Sequence, residues 1–179
     1  MLIAAKQLQR CSIEGADGTV GTVKDLLFDG RQWKIRYFDV DTGQWLPGRR
    51  VILSPDAIQA VDYATRRLAT PLTTEQVKDS PPLEGDLPVS RQKEAELAQY
   101  YAWGVYWANI EHGPEQDGGD PNLRSTRSVS GYQIQATDGE IGHVEDFIVD
   151  DADWEIRYLV VDTRNWLPGR QVIIPPGWA

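Results

Sequence analysis

The sequence predicts a mainly β protein built as two small barrels joined by a helical, aromatic-rich connector. Three observations predict it. WLPGRRVI at Trp45–Ile52 returns as WLPGRQVI at Trp166–Ile173, 121 positions later. At that constant offset, residues 17–55 align with 138–176 without a gap, and 21 of the 39 positions are identical. Within each copy the apolar residues alternate with period two, as in half-buried strands. A period this long is duplication of a whole folding unit. The expected organisation is repeat one at 1–77, an acidic linker with a helix at 78–121, and repeat two at 122–179.

Each element has a local reason. Asp17-Gly18 and Asp138-Gly139 are hairpin signals, flanked by Ser12–Ile13 before and Val20–Phe28 after. A polar turn, Asp29–Gln32, leads into WKIRYFDVD, which places Trp33, Ile35 and Tyr37 on one face. The second copy, WEIRYLVVD, becomes apolar on both faces at its end. Pro47 presets φ and Gly48 accepts positive φ, so Leu46–Arg49 is a tight reversal between strands ending at Val40 and spanning Val51–Leu53. Trp45 beside it is large enough to cover a barrel end. Ile58–Tyr63 and Arg67–Leu72 read as two further strands, followed by a short helical turn capped by Thr73/Thr74. Repeat two has no sequence counterpart of these last strands. It is expected to be C-terminally incomplete, with an open edge that a second copy of the chain is one candidate to cover.

The connector begins with DSPPLEGD, a Pro- and acid-rich linker. Ser90 is a good N-cap for RQKEAELAQYY, and Glu94 and Glu96 suit the positive end of a helix dipole. The helix runs into YYAWGVYW. Glu111–Asn122 reads as an acidic loop.

Formal net charge is −9. Between Thr73 and Asp120 ten acids face three bases, so the charge is concentrated in the connector. A basic surface for phosphate is absent from the sequence, which argues against direct nucleic-acid binding. No apolar run is long enough to cross a membrane, and the N-terminus has no signal-peptide pattern. The single Cys11 fits a reducing cytoplasm. No phosphate-binding glycine loop occurs. His112 and His143 lie in different segments. One cysteine cannot build a Cys/His zinc site. Asp39 aligns with Val160, so Asp39/Asp41 is not a duplicated acid dyad. Asp41/Thr42 and Asp162/Thr163 read as turn devices. The DGGD loop at Asp117–Asp120 lacks EF-hand spacing. No catalytic residue, metal site or cofactor is expected. The candidate partner-binding residues are Trp45, Arg49, Trp166 and Arg170 at the repeated turn, with Tyr101, Trp103, Tyr106 and Trp107 in the connector, because Trp, Tyr and Arg are common interface anchors.

The patterns DGxxGxVxDxxxD and WxIRYxxVDTxxWLPGRxVxxxP resemble those of the PRC-barrel family. The connector PVSRQKEAELAQYYAWGVYW is similar to the segment joining the barrels of double-barrel bacterial members. The fold is named for the cytoplasmic barrel of the photosynthetic reaction-centre H subunit; a related barrel ends a ribosome-maturation factor of the small subunit. The resemblance implies two PRC-type β-barrels and a non-enzymatic adaptor or binding protein in the cytoplasm. Its partner would be a protein, with a membrane-associated complex among the candidates. The alternative it implies is an accessory role in ribosome maturation and RNA processing.

Overall fold

A computed structural model describes residues 1–83, 89–107, 122–136, 139–163 and 170–178. Repeat one contains β1 (Leu2–Ala4), α1 (Ala5–Leu8), β2 (Ser12–Glu14), β3 (Thr19–Asp29), β4 (Lys34–Asp41), β5 (Val51–Leu53), β6 (Ala60–Asp62), β7 (Arg67–Ala69) and α2 (Thr74–Asp79). The connector contributes α3 (Arg91–Tyr101). Repeat two contains β8 (Leu123–Ser125), α4 (Thr126–Val129), β9 (Gln133–Ala136), β10 (Gly139–Asp150), β11 (Glu155–Asp162) and β12 (Gln171–Ile174). The fold is mainly β, as the alternation predicts. The strands β6 and β7 are shorter than Ile58–Tyr63 and Arg67–Leu72, and a single 3₁₀ turn at Pro55–Ala57 precedes the first of them.

The two repeats share one sheet. All described strands belong to it, and its main path runs β1-β10-β11-β4-β3-β2-β7-β6 without closing. The first strand of each repeat leaves its own unit. β1 pairs antiparallel with β10, with Leu2 opposite Asp150 and Ala4 opposite Ile148. β8 pairs with β3 in the equivalent register, with Leu123 opposite Asp29 and Ser125 opposite Leu27. This is a reciprocal strand exchange within one chain. Among the described strands β2 is flanked by β3 and, in parallel, by β7, whereas β9 pairs with β10 alone.

Between the exchanged strands, β4 and β11 meet at a bridge of approximate two-fold symmetry. Lys34 of β4 lies opposite Glu155 of β11. The Ile35 N–H donates to the Trp154 carbonyl (2.8 Å), and the Ile156 N–H donates to the Trp33 carbonyl (2.7 Å). Both tryptophans adopt left-handed backbone, φ 53° and 61°. That conformation costs a non-glycine residue roughly 1–2 kcal/mol. The ring contacts they make offset it. Trp33 stacks on Phe28 (centroids 5.5 Å apart), Trp154 meets Phe38 edge-on (5.1 Å), and Phe28 meets Phe147 of the other repeat (5.6 Å). One buried cluster results. It includes Ile3, Val23, Leu26, Phe28 and Phe38 from repeat one with Val144, Phe147, Val149, Leu159 and Val161 from repeat two.

The repeated Gly21 and Gly142 have a steric cause. A Cβ on Gly21 would lie 2.3 Å from the Asp41 carbonyl oxygen, and one on Gly142 would lie 2.1 Å from that of Asp162. Only glycine lets the paired strands of each hairpin approach this closely. Gly21→Ala is expected to cost about 2–4 kcal/mol, lowering Tm by roughly 4–16 °C. Gly104→Ala, where an added Cβ meets nothing within 4 Å, is expected to change stability by less than about 0.5 kcal/mol. Thermal denaturation followed by circular dichroism reads both.

Candidate functional site

The repeated acid of GxVxD latches the exchanged strands. Asp25 on β3 is buried and accepts hydrogen bonds from the Thr126 hydroxyl (2.9 Å), the Ser125 hydroxyl and the backbone N–H groups of Leu26 (2.8 Å) and Arg127 (3.3 Å). Its partner in repeat two, Asp146, accepts from Phe147 N–H (2.8 Å) and Lys6 N–H (3.2 Å). Each acid therefore receives the start of the short helix that follows the other repeat's first strand. The equivalence is incomplete. Ala4 and Ala5 stand where Ser125 and Thr126 supply hydroxyls, so Asp146 has fewer donors. Burial pushes its carboxyl above the ordinary value of 3.8, outweighing the lowering by its two backbone donors.

The connector aromatics pack inside the chain. Ser90 caps α3 by accepting from Lys93 N–H (3.3 Å), and Ala102 ends it in a left-handed conformation. Tyr101 stacks on Trp103 (4.3 Å, 14° between planes). The Tyr106 hydroxyl donates to Glu94 (3.1 Å), and the Arg36 guanidinium lies 4.0 Å from the Tyr106 ring centroid. Trp107 is buried beside Tyr106, with Arg91 over it at 5.9 Å. Arg49 donates to the Lys78 and Ser80 carbonyls and so ties the repeated turn to the end of α2. Trp45 donates from Nε1 to the Val20 carbonyl (2.9 Å) and remains 39% exposed. Arg170 is exposed, and its carbonyl accepts from Thr163. Trp166, His112 and the DGGD loop lie outside the described residues.

The more informative site is a sheet face assembled from residues scattered over four strands. On repeat one the outward face carries Leu27, Tyr37, Ile52 and the exchanged Leu123. All four are buried beneath Val89 and Leu97, with Tyr101 and Tyr106 packed against them. The 121-residue offset converts these four into Ile148, Tyr158, Ile173 and Leu2. Ala4, Ile148 and Tyr158 are adjacent across β1, β10 and β11, and Val160 lies opposite Ile173 across β11 and β12. The face is again apolar, but it is open. Ile173 is 63% and Leu2 51% exposed, while Ile148, Tyr158 and Val160 are half-buried. The following turn, Pro176–Trp178, lies against β11 and exposes Trp178.

Chemistry is sparse elsewhere. Among the described residues no three His, Cys, Asp or Glu side chains group as metal ligands. Burial pushes the Cys11 thiol up, away from the thiolate that nucleophilic chemistry requires. Burial also raises Tyr63, whose hydroxyl donates to Asp151. A cleft of about 550 Å³ runs between the connector and the β10–β11 turn, lined by Lys34, Arg36, Trp103, Tyr106 and Asp153 among others.

A family model described as PRC-barrel domain matches residues 2–77 and 121–179, the two repeats. No curated protein matches the chain.

The two latching acids are expected to respond differently. Asp25→Ala removes a cap and leaves buried hydroxyls without their acceptor, a loss of about 2–4 kcal/mol. Asp146→Asn keeps an oxygen for both backbone donors and removes a desolvated charge. Because the folded pKa of Asp146 lies above its unfolded value, its stabilising contribution is complete below the ordinary carboxylate pKa and is lost as pH rises through the folded one. Asp146→Asn is therefore expected to match the parent at acid pH and to exceed it at neutral pH. Urea denaturation across that pH range measures the difference.

Proposed function

The chain belongs to the PRC-barrel domain family, and from that membership we propose that it is a non-enzymatic adaptor that holds a protein partner on the open sheet face of repeat two. One observation carries the reading. The same apolar face is present twice; the chain covers one copy with its own helix and leaves Leu2 and Ile173 of the other in solvent. Contiguous apolar exposure of this kind is a feature of interaction surfaces. The net charge of −9 supports a protein partner over RNA. Among the described residues no helix is long and apolar enough to cross a membrane. On this reading the partner is met in the cytoplasm, free or as part of a membrane-associated complex. Trp45 and Arg170 offer a secondary contact at the repeated turn.

Site-specific photo-crosslinking in the native cell tests the proposal. A crosslinker at position 173 is expected to give one adduct of defined mass, and Ile173→Asp, with a crosslinker at position 2, is expected to abolish it. As a surface change, Ile173→Asp should alter folding stability by less than about 0.5 kcal/mol. Adducts from position 45 but none from 173 or 2 would move the docking site to the repeated turn. No adduct from any of the three would remove the adaptor reading.

A further inference from the structure

We infer that the open face of repeat two receives a basic amphipathic helix, seated as α3 is seated on repeat one. The inference rests on the adaptor reading and adds the chemistry of the partner. The protein itself supplies the template. On repeat one, α3 presents Glu94, Leu97, Ala98 and Tyr101, the i, i+3, i+4, i+7 spacing of one helical face, and Glu94, Leu97 and Ala98 are buried. The equivalent face of repeat two retains the apolar side chains such a helix would cover.

The polar corner of the site has changed sign, and that identifies the occupant. On repeat one, Arg36 pairs with Asp29 (3.8 Å) and lies over Tyr106, whose hydroxyl reaches Glu94. Lys34 lines the same cleft. The acid on the covering helix is thus linked through Tyr106 to the Arg36 guanidinium. On repeat two, Glu155 replaces Lys34 and Asp153 replaces Gln32. Arg157, the counterpart of Arg36, is surrounded by Asp153 (2.5 Å), Glu155 (2.7 Å) and Asp150 (3.6 Å). The Met1 ammonium also pairs with Asp150 (3.2 Å) and Asp151 (2.5 Å), so four carboxylates around the Arg157 guanidinium and this ammonium leave the corner negative. A glutamate in the position of Glu94 would be repelled there, whereas lysine or arginine would be attracted. A second change extends the apolar area. The Asp39–Arg50 ion pair (3.3 Å) of repeat one is replaced by Val160 and Gln171. The fitting helix thus carries an aliphatic and aromatic stripe with basic residues at its edge. A second copy of this chain fits poorly, because its own such helix carries Glu94 at the matching position and is already packed.

Two ~18-residue peptides test this, long enough to hold a helix. Both keep the stripe of Leu97, Ala98 and Tyr101; one has lysine at the Glu94 and Glu96 positions (Glu94→Lys, Glu96→Lys), and the other keeps glutamate. Each is titrated into the full ¹⁵N-labelled chain and into its Ile173→Asp variant. The lysine peptide is expected to bind at least about tenfold more tightly than the glutamate peptide, with an advantage that shrinks as salt rises. Amide shifts should concentrate on β10, β11 and β12, and Ile173→Asp should weaken binding by about tenfold or more. Equal affinity for both peptides, lost with Ile173→Asp, would overturn the basic helix while leaving the face as a docking site. No binding of either peptide while position 173 still crosslinks in cells would overturn a helical occupant but keep the adaptor reading. A concentration-dependent dimer abolished by Ile173→Asp would make the occupant a second copy and overturn the inference.

Discussion

The structure depends on the exchange of two three-residue strands. β1 completes the sheet around β10, and β8 completes it around β3. A strand edge left unpaired exposes backbone donors and acceptors, so neither hairpin is finished by its own repeat. The geometry is that of a swapped dimer fused into one chain, where the connector replaces diffusion with a high effective concentration. The other conserved-looking features of the duplication serve this arrangement. Asp25 and Asp146 receive the segment entering from the opposite repeat. Trp33 and Trp154 bend the chain so that each carbonyl reaches an isoleucine N–H across the approximate two-fold axis.

The repeats agree where backbone meets backbone or where an acid holds an N–H: Gly21 and Gly142, Asp25 and Asp146, Trp33 and Trp154. They differ inside, where Phe28 and Phe38 correspond to Val149 and Leu159 and the buried Ser125 and Thr126 to Ala4 and Ala5, and on the outward face, where Lys34 corresponds to Glu155 and Asp39 to Val160. The shared backbone contacts keep the halves equivalent, while the outer faces have separated into one that packs α3 and one that is open. The acid-rich connector and the acidic corner of repeat two are also consistent with a helix that stays on repeat one, since moving α3 to the other face would bring Glu94 toward Asp150, Asp153 and Glu155.

The sequence by itself determined the duplication, the mainly β class, the tight turns and the helix caps. These are local matters: alternation of apolar residues sets strands, Gly and Pro set φ, and Thr73 and Ser90 satisfy N–H groups within the next turn. The family patterns were equally legible, because they consist of side chains at fixed spacing. The tertiary structure alone decided which strand each hairpin pairs with. A Leu-Ile-Ala segment can add to either of two nearly identical hairpins, and only the packing of Ile3 and Leu123 and the latching acids selects the opposite one. It also decided which aromatics are internal. Tyr101, Trp103, Tyr106 and Trp107 form a conspicuous run in sequence, yet Tyr101 and Tyr106 pack against repeat one and Trp107 is buried, whereas Ile173 closes the repeated WLPGRxVI stretch with nothing in it to mark the residue as exposed. Exposure is a property of what else occupies the space above a residue, so an apolar face can be seen as vacant only when its covered twin is placed beside it.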